Sequence, residues 1–290
     1  MESTWTFLPP QLPVPFATRL LAALRHYWPP YVAEALGLAF FVGSVGLLTI
    51  LLEHPASPVR QALPENSLLR RGLMGVCMGL VQAAIVYNPW GKRSGAHINP
   101  AVTLAFWQLG KIRSADAMLY VLAQLTGAIG AALLLKACLG DLYGHPAVNY
   151  TVTQPALPTW PSAWIAFAAE FVISFLLMLV DLLALHSRRL KKWTGWLLAA
   201  LLAVYILVET PLSGMSLNPA RTVATALAAG SYQGLWVYLI SPPLAMWLAT
   251  VGFLRFHNGQ PLKCAILAGC QPSPSSPHVS DQEPPQYPEE

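Results

Sequence analysis

Residues Ser94 to Thr103 read SGAHINPAVT, and residues Ser213 to Thr222 read SGMSLNPART. The Ser, Gly, Asn, Pro, Ala and Thr of the first copy recur in register 119 positions later. In each copy the Asn-Pro-Ala core suits the opening of a helix. Asn is a favoured N-cap, and Pro fits the first helical position, where its missing N–H has no bond to lose. A short, mainly apolar run follows each core and ends at Gly110 or Gly230, residues suited to a helix stop. One isolated copy would be a capped helix start of the kind any protein carries. Two matched copies call for a shared geometric cause.

Composition supplies the setting. The chain of 290 residues is 55% hydrophobic and 10% charged, with mean hydropathy +0.49. Soluble domains carry about 25% charged residues, so this is a polytopic membrane protein. Apolar runs long enough to span, about 20 residues each, lie near 31–52, 70–88, 117–139, 161–185, 195–212 and 234–256. The net charge of +4 comes from loop lysines and arginines rather than a nucleic-acid-binding patch. The loop after the fourth run holds Arg188, Arg189, Lys191 and Lys192, whereas 140–160 holds no Lys or Arg. The positive-inside rule therefore places both termini in the cytoplasm and suggests a multi-pass protein of the cell membrane. Arg60, Arg70 and Arg71 fall outside and weaken the bias without reversing it. The N-terminus lacks a basic start running directly into an apolar core, so no cleaved signal peptide is expected. Asn149-Tyr150-Thr151 on the outer loop is a glycosylation sequon.

The order of the segments explains the repetition. A helix of about ten residues is about 15 Å long, half of the roughly 30 Å hydrocarbon thickness. The two short runs thus enter the membrane without crossing it. Each follows the second span of a three-span unit, about 31–139 in the first half and 161–256 in the second. Three is odd, so the halves insert with opposite orientation, an inverted repeat. The two half-helices then meet head to head near the midplane, each presenting a positive dipole end. Irregular backbone at that depth is tolerated only where it is buried in protein or lines a water-filled cavity.

The residues that carry this pattern, SGAHINPAVT, SGMSLNPAR, YVLAQLTGAIGA (Tyr120 to Ala131), the acidic VAEALG (Glu34) and FAAEF (Glu170), and WVYLISP (Trp236 to Pro242), resemble the aquaporin, or major intrinsic protein, family over about 31–256. The resemblance implies an all-α integral membrane fold: six transmembrane helices and two re-entrant half-helices in a right-handed bundle. It also implies a homotetramer with one pore per protomer, conducting water or small uncharged solutes passively. The motif residues are Asn99, Pro100, Ala101, Asn218, Pro219 and Ala220, with both Asn side chains donating hydrogen bonds to a permeating molecule. By the same resemblance Arg221, where the first copy has Val102, belongs to the outer selectivity filter. Glu34 and Glu170 either accept backbone N–H bonds from the re-entrant loops or serve helix packing. His97 either faces the cytoplasmic vestibule or packs in its loop.

The other filter positions depart from a strict water filter. Ile206 stands where water-selective relatives often have His, and Met215 stands where some carry a mercury-sensitive Cys. The second-helix position falls on Met78 or Gly79, an ambiguity created by YNPWG (Tyr87 to Gly91). Thr222 and Ala226 argue against a glycerol channel, Tyr238 is water-like and Leu239 less so. Water is the favoured solute over glycerol, urea, ammonia, hydrogen peroxide and metalloid acids. Glu209, one turn outward of Ile206, is expected to line the outer mouth and pair with Arg221.

A secondary transporter also uses inverted repeats and broken helices, but no acidic cluster for a coupling ion lies at the two signatures. No nucleophile–base pattern, metal-ligand cluster or phosphate loop points to an enzyme, a cofactor or a metal. Cys77, Cys138, Cys264 and Cys270 form no CxxC, and Cys77 and Cys138, inside apolar segments, read as small core residues. Residues 1–30 form a proline-rich cytoplasmic segment in which Phe16 to Tyr27 suits an interfacial amphipathic helix. Residues 257–290 form a largely disordered tail. There Pro284-Pro285-Gln286-Tyr287 matches the PPxY pattern bound by WW domains, a pattern that chance readily supplies in so proline-rich a tail.

Overall fold

The computed structural model describes residues 15–257, 262 and 265–268. Among the described residues six long helices are apolar enough to cross a membrane: α1 (Phe16–Glu53), α3 (Ser67–Tyr87), α6 (Ser114–Leu139), α8 (Trp160–His186), α9 (Thr194–Ser213) and α11 (Leu235–Phe256). Short helices α2 (Pro58–Ala62), α4 (Pro89–Ser94) and α7 (Asp141–Gly144) lie in the connections. Two half-helices, α5 (Pro100–Gln108) and α10 (Pro219–Ala229), follow α4 and α9.

Packing respects the internal repeat. α1 lies against α6 and its counterpart α8 against α11, α10 packs on α6 as α5 does on α11, and α3 meets its own counterpart α9. The last contact is close because of small residues: a Cβ on Gly75 would lie 2.5 Å from the Ala203 carbonyl oxygen, and one on Gly79 2.8 Å from that of Ala199. Small residues that let backbones approach are the usual device of helix association in lipid. Leu36, Val76, Leu134, Val172 and Val208 stay exposed on the outer surface, where hydrocarbon rather than water would meet them.

One end of the bundle, here the terminal face, carries the start of α1 and the end of α11. The other, the loop face, carries residues 140–159. Phe16–Tyr27 is helical and joins the first span through a kink at Tyr27. Pro29 and Pro30 follow that kink at once, where a new helix begins and their missing N–H groups matter least. At the loop face Arg70 pairs with Glu53 at 3.0 Å and donates to the Leu63 carbonyl at 2.6 Å. An arginine that ran against the charge bias therefore fastens the α1–α3 connection. Asn149 is exposed on this face. Cys77 is half-buried and Cys138 exposed, so neither is the core residue its apolar segment suggested. Cys264, Cys270, Pro284, Pro285 and Tyr287 lie outside the described residues.

The stretch that blurred the second-helix register is now specific. The Asn88 side chain caps α4 by accepting from the Gly91 N–H at 2.8 Å, so YNPWG is a helix end followed directly by a helix start.

Candidate functional site

The re-entrant loops before α5 and α10 are built alike. Ala96 and Ile98 in the first and Met215 and Leu217 in the second have left-handed backbones, with φ of 56°, 39°, 53° and 58°. Such residues cost of order 1–3 kcal/mol each and persist only where the surroundings hold them. Here the alternation turns successive N–H groups toward one point, an anion-binding nest, and a carboxylate fills it. Glu34 accepts from the His97 N–H at 3.0 Å and the Ile98 N–H at 2.5 Å. Glu170 accepts from the Ser216 N–H at 2.6 Å and the Leu217 N–H at 2.8 Å. Both carboxylates are fully buried and each takes a further donor, Gln124 Nε2 at 2.8 Å and Ser213 Oγ at 2.7 Å respectively. Tyr120 Oη donates to the Ser94 carbonyl and Tyr238 Oη to that of Ser213, so the equivalence extends into the third helix of each half.

Each motif asparagine does two jobs. Its Oδ1 caps its own half-helix, Asn99 accepting from the Ala101 N–H at 2.9 Å and Asn218 from the Ala220 N–H at 3.1 Å. Its Nδ2 reaches into the opposite loop: Asn99 to the Leu217 carbonyl at 2.8 Å, Asn218 to the Ile98 carbonyl at 2.7 Å. An amide nitrogen carries two hydrogens, so one on each remains for a molecule beside them.

Two cavities adjoin this centre and share Phe41, Leu202 and Ser216 as walls. The inner one, of ≈ 60 Å³, is bordered by both asparagines, His97, Gln82, Asp181 and Leu267. A water needs about 10–15 Å³ by this measure, so the space suits a short file of waters. The outer one, of ≈ 210 Å³, is bordered by Met78, Ile206, Met215 and Arg221, with Glu53 and Arg71 nearer the loop face. Arg221 is 7% exposed, and its Nη1 has no protein partner among the described residues.

Two sequence expectations need correction. Gly79 is not a wall of the outer cavity; Met78 is. Gly79 instead faces the α9 backbone, where its missing side chain sets the helix spacing. Glu209 does not border the outer cavity, and no ion pair or hydrogen bond joins it to Arg221 among the described residues. It is buried within α9. Thr210, its neighbour in the chain, takes the place at the cavity wall. One helical step of about 100° separates lining from backing.

His97 combines both readings open to it. Its ring stacks on Phe106 with centroids 4.8 Å apart while bordering the inner cavity. Sequence reasoning missed Asp181, Gln82 and Leu267 as cavity walls. An acidic residue within a span was a signal for Asp181. Leu267 gave none beyond a brief apolar run in a tail. No group of three or more His, Cys, Asp or Glu side chains suited to a metal occurs among the described residues.

Known proteins share this architecture. Residues 23–252 match the family described as Major intrinsic protein. "Aquaporin NIP3-1" of Oryza sativa subsp. japonica is 38% identical over 189 residues, which is 63% of this chain and 58% of that one, so the match spans under two thirds of that relative's length. "Aquaporin NIP2-1" of the same plant is 31% identical over 241 residues, 81% of this chain and 75% of the other. The X-ray structure of the aquaglyceroporin from Plasmodium falciparum superposes with TM-score 0.61 at 20% identity, covering 78% of this chain and 95% of that one. At that identity the likeness is one of fold.

Proposed function

The chain belongs to the major intrinsic protein family, and from that premise we propose that it is a passive membrane channel, not an enzyme, conducting water while excluding protons and ions. The observation that carries the proposal is the crossed asparagine pair. Each Nδ2 spends one hydrogen on the opposite loop and offers the other to the pore. A water accepting from both directs its own hydrogens away to either side, so no proton relay runs through the centre. The positive ends of α5 and α10, meeting head to head, repel cations and hydronium. Arg221, which borders the outer cavity, adds fixed positive charge at the outer constriction. Asn99, Pro100, Ala101, Asn218, Pro219 and Ala220 form the centre, Arg221, Ile206, Met215 and Met78 the filter, and Glu34 and Glu170 its supports. The basic loops support a cytoplasmic terminal face in a cell membrane, and the exposed apolar helix faces suit lipid and a homotetramer.

Stopped-flow shrinkage of proteoliposomes tests the channel. Fast water flux with a low activation energy is expected. Permeability no higher than that of empty liposomes, in the full chain and in a chain ending at His257 alike, would reject the reading, and saturable, gradient-coupled uptake would favour a transporter.

One observation favours a second reading, conduction of small neutral solutes such as urea or glycerol. Asp181, an acidic residue, borders the inner cavity. A carboxyl group at that wall suits a solute rich in N–H or O–H groups, and the outer walls Met78, Ile206 and Met215 are apolar. Replacing Asp181 by Leu should lower urea and glycerol permeability more than water permeability. Equal effects on all three would remove this reading.

A further inference from the structure

The terminal-face mouth of the cavity system is occupied by the chain itself. Leu262, Ala265, Ile266 and Leu267 are at most 5% exposed, although they lie beyond the last spanning helix in a stretch whose sequence suggests a disordered tail. Two bonds seat them on the first signature. The Leu267 N–H donates to the Gly95 carbonyl at 3.1 Å, and His97 Nε2 meets the Ala265 carbonyl at 3.1 Å. A carbonyl only accepts, so Nε2 carries the hydrogen. Leu262, Ala265 and Leu267 join the same apolar core as Ile98, Val102 and Leu198, and Leu267 borders the cavity that holds both asparagines.

The inverted repeat gives this placement a counterpart. The segment after the third span of the first half covers the second re-entrant loop: Thr153 bonds Thr222 at 2.8 Å, and the Thr153 backbone lies against Gly214. The segment after the third span of the second half covers the first re-entrant loop at Gly95 and His97 in the same way. The outcomes differ. Thr151 and Val152 leave an outer cavity of ≈ 210 Å³, whereas Leu267 bounds an inner one of ≈ 60 Å³.

We infer that this mouth is a peptide-docking surface occupied by the chain's own Leu262 and Ala265 to Ala268, and that their seating closes the pore. Gly95 and His97 are then the receptor for the cap as well as part of the re-entrant loop. The inference rests on the channel reading above.

The test compares three proteins in liposomes by stopped flow: the full chain, a chain ending at His257, and full-length Leu267→Asp. A synthetic peptide of residues 258–270 is then supplied to the terminal face of the truncated chain. A cap closed about 90% of the time predicts a roughly ten-fold rise in water permeability per protomer on truncation. Leu267→Asp should give a comparable rise, because an aspartate cannot stay in the apolar seat. The peptide should reverse the rise, and its Leu267→Asp version should not. A full chain that conducts, with neither variant conducting faster, overturns the cap and leaves the channel standing. Permeability at the level of empty liposomes in all three removes the channel and the cap together.

Discussion

Asn99 and Asn218 are tied to each other's loops by a reciprocal pair of hydrogen bonds, Asn99 Nδ2 to the Leu217 carbonyl and Asn218 Nδ2 to the Ile98 carbonyl. Neither half can complete its loop without the other. Pore geometry and fold stability are therefore the same set of contacts.

Replacing Asn99 by Ala removes an N-cap, costing about 0.5–2 kcal/mol, and orphans the buried Leu217 carbonyl, costing about 1–3 kcal/mol more. A lower melting temperature in detergent and reduced water permeability are expected together. An unchanged melting temperature would show that the cross-tie contributes nothing.

Glu170→Gln keeps the shape of the side chain but sets an NH2 group against one of two loop N–H donors. Charge-assisted bonds contribute about 1.5–3 kcal/mol each, so a loss of that order is expected. Met215 and Leu217, held left-handed by this carboxylate, should relax first. Faster proteolysis at the loop face would report it. Glu34→Gln should act alike at the other loop, with cleavage at the terminal face.

Met78 and Gly79 should behave differently although adjacent. Met78→Ala widens the outer constriction, and glycerol permeability should rise with the fold intact. Gly79→Val drives a side chain into the Ala199 carbonyl, 2.8 Å from where a Cβ would stand, and should cost about 1–3 kcal/mol by overpacking. Melting curves and glycerol-driven shrinkage separate the two. Equal effects would reject the assignment of Met78 to the pore wall.

Arg221→Val makes the second signature match Val102 of the first. Water should still pass, because the asparagine pair remains. Proton or sodium leak, read with a pH-sensitive dye or a sodium indicator, should increase. A leak no larger than that of the wild type would place cation exclusion wholly at the opposed half-helices.

The sequence by itself determined the spans, the half-helices, the caps and the inverted order of the two halves. Each of these is local: apolar run length, an Asn-Pro start and a Gly stop act within a few residues, and counting spans gives the orientation. Tertiary structure decided which neighbour faces the pore. Met78 rather than Gly79, and Thr210 rather than Glu209, differ by one step of about 100° around a helix, a distinction set by the helices packed against them. It also decided the fate of Leu262 and Ala265 to Ala268. Five apolar residues in a polar tail bury only against a surface assembled from Gly95, His97 and Leu198, positions far away in the chain, and no local pattern encodes a surface that exists only after folding.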